Sequence, residues 1–444
     1  MATALFSQQR RHIVLTTLWT VATLLQSATS EVEAGSWTCP CISWGCQAAC
    51  PCACPCPCGD PSLCAPLTQT STKARLEVVA YHAHLYNETG CDQVGPHGLP
   101  LGPGSPCPTA RVGAQHWAGY PWDRVTTIAI YTGIDQPAPF AANNTGTPLL
   151  ICTAHRRSVK VIQGVGGQWT QAPWTAENLN DTAKRRALAK QYIDSAVLYG
   201  MDGLNLDVEY DGSVNPTPWY QERARLLTLF TCELRAMIHN LSYVPSTFQL
   251  SFASDLLPAA SADRFDFKGL AQCLDFFTPM AYFEPLENLA QGVTQYQSLG
   301  VPPSKLVTIF AWFGTDVQCT NTSGACALKY PHCYALGTGD GHECQPGYST
   351  IAHDLLPKST QMPASWGAIS GLQWNEATSL PFFDYAGNNS VRHRVSFTDA
   401  NSTRLRAEWA HQASLAGVGI WTADALDTIS YPQDGVEMWG ALLA

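Results

Sequence analysis

Charge is what this chain has little of. Only 14% of its 444 residues are Asp, Glu, Lys or Arg, the formal net charge is −10, and no long basic run occurs. That excludes the electrostatic footprint of a nucleic-acid binder. Long apolar runs are also scarce. One stretch, Ile13 to Leu25, is too short for a comfortable membrane span, and no other segment could cross a bilayer. Several catalytic signatures are missing as well. There is no Gly-x-Ser-x-Gly nucleophile elbow. Gly337-Thr-Gly-Asp-Gly341 has no helix after it and reads as a loop rather than a phosphate cradle. His82-Ala-His84 alternates at a strand end with no third ligand at a suggestive spacing, so no metal site is expected.

Cysteine and aromatics, by contrast, are abundant. Arg10-Arg11, the apolar stretch and the small residues Ala28 and Ser30 read as a secretory signal over residues 1–30. The eighteen cysteines then read as disulfides of an oxidising compartment, and sequons at Asn87, Asn143, Asn180, Asn240, Asn321, Asn388 and Asn401 fit the same route. The expected location is the secretory pathway, ending in a lysosome or vacuole or outside the cell. Nine cysteines fall in residues 31–64, an odd number, so at least one stays free or pairs elsewhere. This Cys-rich segment reads as a stapled extension without catalytic duty. The fourteen Trp and sixteen Tyr suit a sugar-lined cleft, although core packing accounts for most of them.

From residue 65 the pattern is that of an α/β chain. Strands are expected at Leu76–Tyr81, Val125–Tyr131, Val159–Val165, Leu204–Glu209, Gln249–Ala253, Phe276–Tyr282, Leu306–Trp312 and Gly417–Trp421. Helical periodicity fills several gaps, most clearly over Thr182–Leu198 and Gln221–His239. Eight strands with helices between them match a (β/α)8 TIM barrel. Its first part is expected over 65–316, and its last strand and helix over 417–444. Two insertions interrupt it. Residues 83–124 are Gly- and Pro-rich, with Cys91 and Cys107 placed to close a loop. Residues 317–416 hold Cys319, Cys326, Cys333 and Cys344 and the strand-like pieces Leu372–Trp374 and His393–Ser396. They are expected to form a small α+β subdomain beside the barrel mouth, because a structureless insertion of that length is implausible.

The fourth strand carries the chemistry. In Asp202-Gly203-Leu204-Asn205-Leu206-Asp207-Val208-Glu209-Tyr210, Leu204, Leu206 and Val208 take one face while Asn205, Asp207 and Glu209 take the other. A parallel strand under helices is normally apolar on both faces. Three polar side chains on a buried face are costly unless they bond to one another or do chemistry. An edge strand with a wet polar face is the bland alternative.

This stretch resembles the strand-four signature of glycoside hydrolase family 18, usually Asp-Gly-x-Asp-x-Asp-x-Glu. Asn205 stands where most members have the second Asp, a feature of the family's di-N-acetylchitobiase branch. Other segments are similar to that branch in collinear order: Cys56-Pro-Cys58 with Cys64-Ala-Pro66, Cys152-Thr-Ala-His155, Asp275 to Tyr282, Lys305-Leu-Val, Trp312 to Asp316, Pro381 to Tyr385, Val395 to Asp399 and Gly417 to Asp427. The family's strand-six motif is Met-x-Tyr-Asp, whereas Phe283 follows Tyr282 here and the nearest carboxylate is Glu284. The Asp that helps position the substrate's acetamido group is thus missing or shifted by one residue.

The resemblance implies a glycosidase acting on oligosaccharides that contain β-1,4-linked N-acetylglucosamine. Hydrolysis would retain configuration, with the substrate's own acetamido oxygen as nucleophile, and would need no cofactor. Glu209 would be the acid and then the base. Asp207 would hold the acetamido N–H, stabilise the oxazolinium ion and keep Glu209 protonated. Tyr282 would donate to the acetamido oxygen, and Trp421 would floor the sugar. Asn205, Trp312 and Asp316 are the remaining candidates for substrate contact. Because an amide at 205 cannot share a proton with Asp207, the activity profile should lie toward acid pH. Two alternatives stay open: an endo-acting chitinase or endo-β-N-acetylglucosaminidase, and a non-catalytic sugar-binding protein on the same fold.

Overall fold

The computed structural model describes residues 63, 65–68, 76–82, 116–131, 146–209, 217–320, 326, 346–361, 371–387 and 391–444. The signal segment, the Cys-rich run, most of the 83–124 insertion, Cys333 and Cys344 lie outside them.

Eight parallel strands close a barrel in the order β1-β12-β7-β6-β5-β4-β3-β2. These are β1 (Glu77–His82), β2 (Thr127–Ile130), β3 (Lys160–Gln168), β4 (Gly203–Glu209), β5 (Gln249–Asp255), β6 (Phe276–Met280), β7 (Val307–Ala311) and β12 (Gly417–Trp421). All eight expected strands are present, with ends moved by a residue or a few. Helices α1 (Gly146–Arg156), α2 (Ala176–Asn180), α3 (Thr182–Leu198), α4 (Thr217–Asn240), α5 (Phe267–Cys273), α6 (Leu286–Ser298), α8 (Ala400–Gln412) and α9 (Pro432–Leu442) accompany them. Local chemistry fixes their ends. Asp181 caps α3 by accepting from Ala183 N and Lys184 N. Gly200, with φ +71°, turns the chain out of α3 into β4 in a conformation only glycine takes freely. Asp399 and Ser402 form a reciprocal capping box at α8.

Strand alternation divides the apolar residues into two layers. Leu204, Leu206 and Val208 face outward with Leu226, Leu227, Phe230, Leu250 and Phe252, in the shell between barrel and helices. Val79, Tyr81, Ala129, Tyr131, Ile162, Val307, Ile309 and Ala311 form a second cluster inside the barrel. The buried Arg185 ties α3 to α4 through Glu233, at 2.8 Å from Nε and 3.0 Å from Nη2. Cys232–Cys273 staples α4 to α5.

The chain leaves the barrel after β7 to build a four-stranded sheet in the order β8-β11-β10-β9. Its strands are β8 (Gly314–Gln318), β9 (Gln373–Asn375), β10 (Leu380–Ala386) and β11 (Arg392–Phe397), with α7 (Tyr348–Thr350) continuing as a π-helical turn over Ile351–Leu355. This sheet is the expected insertion with different limits. It begins at Gly314 rather than 317 and ends at Phe397, and the following α8 packs back on β7, β12 and α9 as a barrel helix. A disulfide joins Cys319 to Cys326. Among the described residues no helix is long and apolar enough to cross a membrane. The three described sequon asparagines, Asn180, Asn240 and Asn401, are all exposed.

Candidate active site

The polar face of β4 points into the barrel. Its register sets Asn205 beside Gly164 and Ser251, Asp207 beside Gly166, and Glu209 beside Gln168. At the lowest of these levels the amide of Asn205 is fully engaged. Its oxygen accepts from the hydroxyls of Tyr81, at 3.3 Å, and Tyr131, and its nitrogen donates to Ser251 Oγ at 2.7 Å and Thr278 Oγ1 at 3.4 Å. Space for this arrangement comes from β3, where a Cβ on Gly164 would lie 2.4 Å from the Tyr131 ring. Asn205 is wholly buried, so it acts as a fixed support beneath the cleft.

Trp421, at the end of β12, packs on both tyrosines, with ring centroids 5.4 Å from Tyr81 and 5.1 Å from Tyr131. It stays partly open to solvent, as does Glu209, whereas Asp207 and Tyr282 are buried at 5% and 7% exposure. Tyr282 follows the end of β6, and its ring packs edge-on against Phe313 at 5.3 Å. Burial raises the Tyr282 phenol well above its ordinary pKa, and the charges of Asp207, Tyr81, Glu209 and Glu284 push it the same way. The hydroxyl therefore remains a donor at any working pH. Burial raises the Tyr81 phenol too; a hydrogen bond to Thr278 opposes this and the charge of Asp207 adds to it.

The site thus brings Asp207, Glu209, Tyr282, Asn205 and Trp421 to one end of the barrel, the C-terminal end of the strands. Two expected site residues lie elsewhere. Ala311 faces inward, so Trp312 faces out: it is wholly buried in the shell and packs edge-on against Trp439 of α9 at 4.7 Å. Asp316 belongs to the second sheet, where it accepts from Tyr385 Oη at 2.6 Å and pairs with His393 Nδ1 at 2.9 Å, closed off from the mouth. Phe283 packs on Phe313 at 5.0 Å, and Glu284 Oε2 folds back to accept from Phe283 N at 3.0 Å. The strand-six carboxylate is therefore not restored by a shift of one. Tyr81 and Tyr131 are site residues that sequence reasoning does not single out, although they close the expected first and second strands as Tyr282 closes the expected sixth.

His82 is buried, with Nδ1 3.0 Å from Tyr120 Oη. The one trio of possible metal ligands among the described residues, Cys319, Cys326 and Asp384, has both thiols in a disulfide.

Comparison with known proteins identifies the family. Residues 147–425 match the family model "Glycosyl hydrolases family 18". Di-N-acetylchitobiase of Mus musculus is 26% identical over 354 residues, 74% of this chain and 86% of the relative. The Homo sapiens enzyme of the same name is 25% identical, covering 74% and 82%. Among solved structures, the class V chitinase of Nicotiana tobaccum superposes with a TM-score of 0.59 at 16% identity, covering 83% of this chain and all of that one. The Ostrinia furnacalis Group IV chitinase gives 0.61 at 17%, covering 83% and 99%. At such identities the structures speak for the fold alone. The chain is a glycosidase belonging to glycosyl hydrolase family 18, on the di-N-acetylchitobiase branch.

Proposed function

We propose that this protein hydrolyses β-1,4-linked N-acetylglucosamine in chitobiose-type linkages, of N-glycans or chitin oligomers, by retaining, substrate-assisted catalysis. The observation that carries the reading is the convergence of Asp207, Glu209, Tyr282 and Trp421 at one barrel mouth. Trp421 holds the apolar face of the sugar. Tyr282 donates to the acetamido oxygen and Asp207 accepts from the acetamido N–H, which turns that oxygen toward the anomeric carbon. Glu209 protonates the departing glycosidic oxygen as the acetamido oxygen closes the oxazolinium ring. Asp207 stabilises the positive charge of that ring. Glu209, now a carboxylate, takes a proton from the incoming water, which opens the ring with net retention. No cofactor takes part.

The relatives named di-N-acetylchitobiase support the chitobiose linkage over a longer chitin chain. Entry into the secretory pathway, with delivery to a lysosome or vacuole or outside the cell, is proposed from the N-terminal segment and the cysteine content. Hydrolysis of a fluorogenic chitobioside tests the activity. Wild type should turn it over, and Glu209→Gln should lose about 10²–10⁴-fold in kcat with little change in KM. A Glu209→Gln protein as active as wild type would refute the assignment. Product analysis on long chitin oligomers and on a released N-glycan separates this reading from endo action.

A further inference from the structure

Arg406, on α8, is wholly excluded from solvent, yet no carboxylate among the described residues lies within hydrogen-bonding reach of it. Its guanidinium donates instead to backbone carbonyls of three segments. Nη1 reaches Ser402 of its own helix and Ser379, both at 3.3 Å. Nη2 reaches Thr378 at 3.0 Å and Glu284 at 3.1 Å. Thr378 and Ser379 form the turn between β9 and β10 of the inserted sheet, and Ser379 sits at φ +53°. Glu284 is two residues beyond Tyr282. Burial pushes the guanidinium pKa down to about 10, against the opposing pull of Glu284 and Asp399, so the group stays charged at neutral pH.

A buried cation without a carboxylate partner is costly to desolvate, and a well-packed apolar side chain would avoid that cost. What the guanidinium provides in return is geometry, because its planar fork fixes several acceptors at once. Geometry matters at this point in the fold. The register pairs of β6 end at Met280, and the ladder bond that follows them, Ala281 N to Ile309 O at 2.8 Å, falls one residue before Tyr282. We infer that Arg406 is a positioning residue for catalysis: it clamps the Glu284 carbonyl to the Thr378–Ser379 turn and so fixes where the Tyr282 hydroxyl meets the substrate. The inference rests on the assignment of Tyr282 as the acetamido donor. It makes the inserted sheet a support of the active site.

A double-mutant cycle tests it. Arg406→Lys and Arg406→Gln are each made alone and on Tyr282→Phe, and kcat and KM are measured on the fluorogenic chitobioside. Arg406→Lys keeps the charge and loses part of the fork, so kcat should fall about 3–10-fold, and for Arg406→Gln about 30–100-fold, with KM within roughly twofold. On Tyr282→Phe neither change should lower kcat more than about twofold, because the group being positioned is gone. Equal losses in both backgrounds would overturn the inference. If Arg406→Gln fails to fold, Arg406→Lys carries the same test. A second readout separates the clamp from the glycosidase reading: affinity for the thiazoline of di-N-acetylchitobiose, an oxazolinium mimic, followed by tryptophan fluorescence. If wild type does not hydrolyse chitobioside, the functional reading fails. The clamp is then judged by whether the affinity losses of Arg406→Lys and Tyr282→Phe are additive, which contradicts it, or overlapping, which supports it.

Discussion

The two ends of strand β4 carry the same kind of side chain in opposite circumstances. Asp202, just before the strand, is 2% exposed and satisfied from every side. It accepts from Val161 N at 2.6 Å and Leu67 N at 2.5 Å and pairs with His155 Nε2 at 2.9 Å. His155 Nδ1 faces the Leu63 carbonyl at 2.8 Å, and Thr247 Oγ1 donates to Leu67 O at 2.5 Å. That end pins the segment preceding the barrel to its floor. Asp207 and Glu209, at the other end, point into the barrel with charges that raise the Tyr282 pKa, and Glu209 and Trp421 remain partly open to solvent. A few residues of rise separate a carboxylate that holds the fold from the pair proposed to meet the substrate. Barrel floors are the usual seat of stability and barrel mouths of chemistry.

Substitutions can break this contrast, and the largest effect is expected at the floor. Asp202→Ala leaves His155 and two backbone N–H groups buried without their acceptor and should cost about 3–5 kcal/mol of stability. Thermal and urea unfolding would register it, while kcat of the folded fraction stays near wild type. The mouth should behave inversely. Asp207→Asn should lower kcat about 10²–10³-fold, as loss of an electrostatic stabiliser does. Its melting temperature should hold, because the amide keeps shape and volume. A large stability loss at Asp207, or a large rate loss at Asp202, would erase the distinction.

The pairing of His155 sharpens the comparison through pH. Burial alone would lower the imidazole pKa, but the charge and hydrogen bond of Asp202, with the Leu63 carbonyl, outweigh it and leave a net rise. A raised folded-state pKa means the imidazolium stabilises the fold fully below the unfolded value of about 6.5. That contribution fades as pH climbs through the folded-state value. The stability gap between wild type and His155→Gln should accordingly be widest at pH 5–6 and narrow as the solution becomes alkaline. A gap that widens with pH would reverse the sign and refute the pairing. The smallest effect is expected at Asn205→Asp. A carboxyl there can share a proton with Asp207 where the amide cannot, so the acid limb of the rate profile should move up by about half a pH unit.

Strand periodicity explains what could be read before any coordinates. The period of two makes the polar face of Leu204–Glu209 conspicuous, whereas Tyr282 and Trp421 stand out through the family resemblance, at the ends of the expected sixth and eighth strands. It failed where the period alone decides between faces. Trp312 is a single position past Ala311, and that one step turns it from the mouth into the helix shell against Trp439. Asp316 failed for another reason. The chain switches sheets at Gly314, and nothing in Gly314–Gln318 announces that its carboxylate will meet Tyr385 and His393 from strands much further along. Arg406 was unreadable for the same cause: its acceptors are main-chain carbonyls from three separated segments, a contact that leaves no residue pattern.

Stereochemistry tests the central claim most directly. Proton NMR of early chitobioside hydrolysis by the wild-type protein reads the anomeric configuration of the newly formed hemiacetal before mutarotation. Capture of the anomeric carbon by the substrate's own amide, followed by water from the opposite face, predicts the β-anomer first. The α-anomer first would mean direct displacement by water and would contradict the roles given to Asp207, Glu209 and Tyr282.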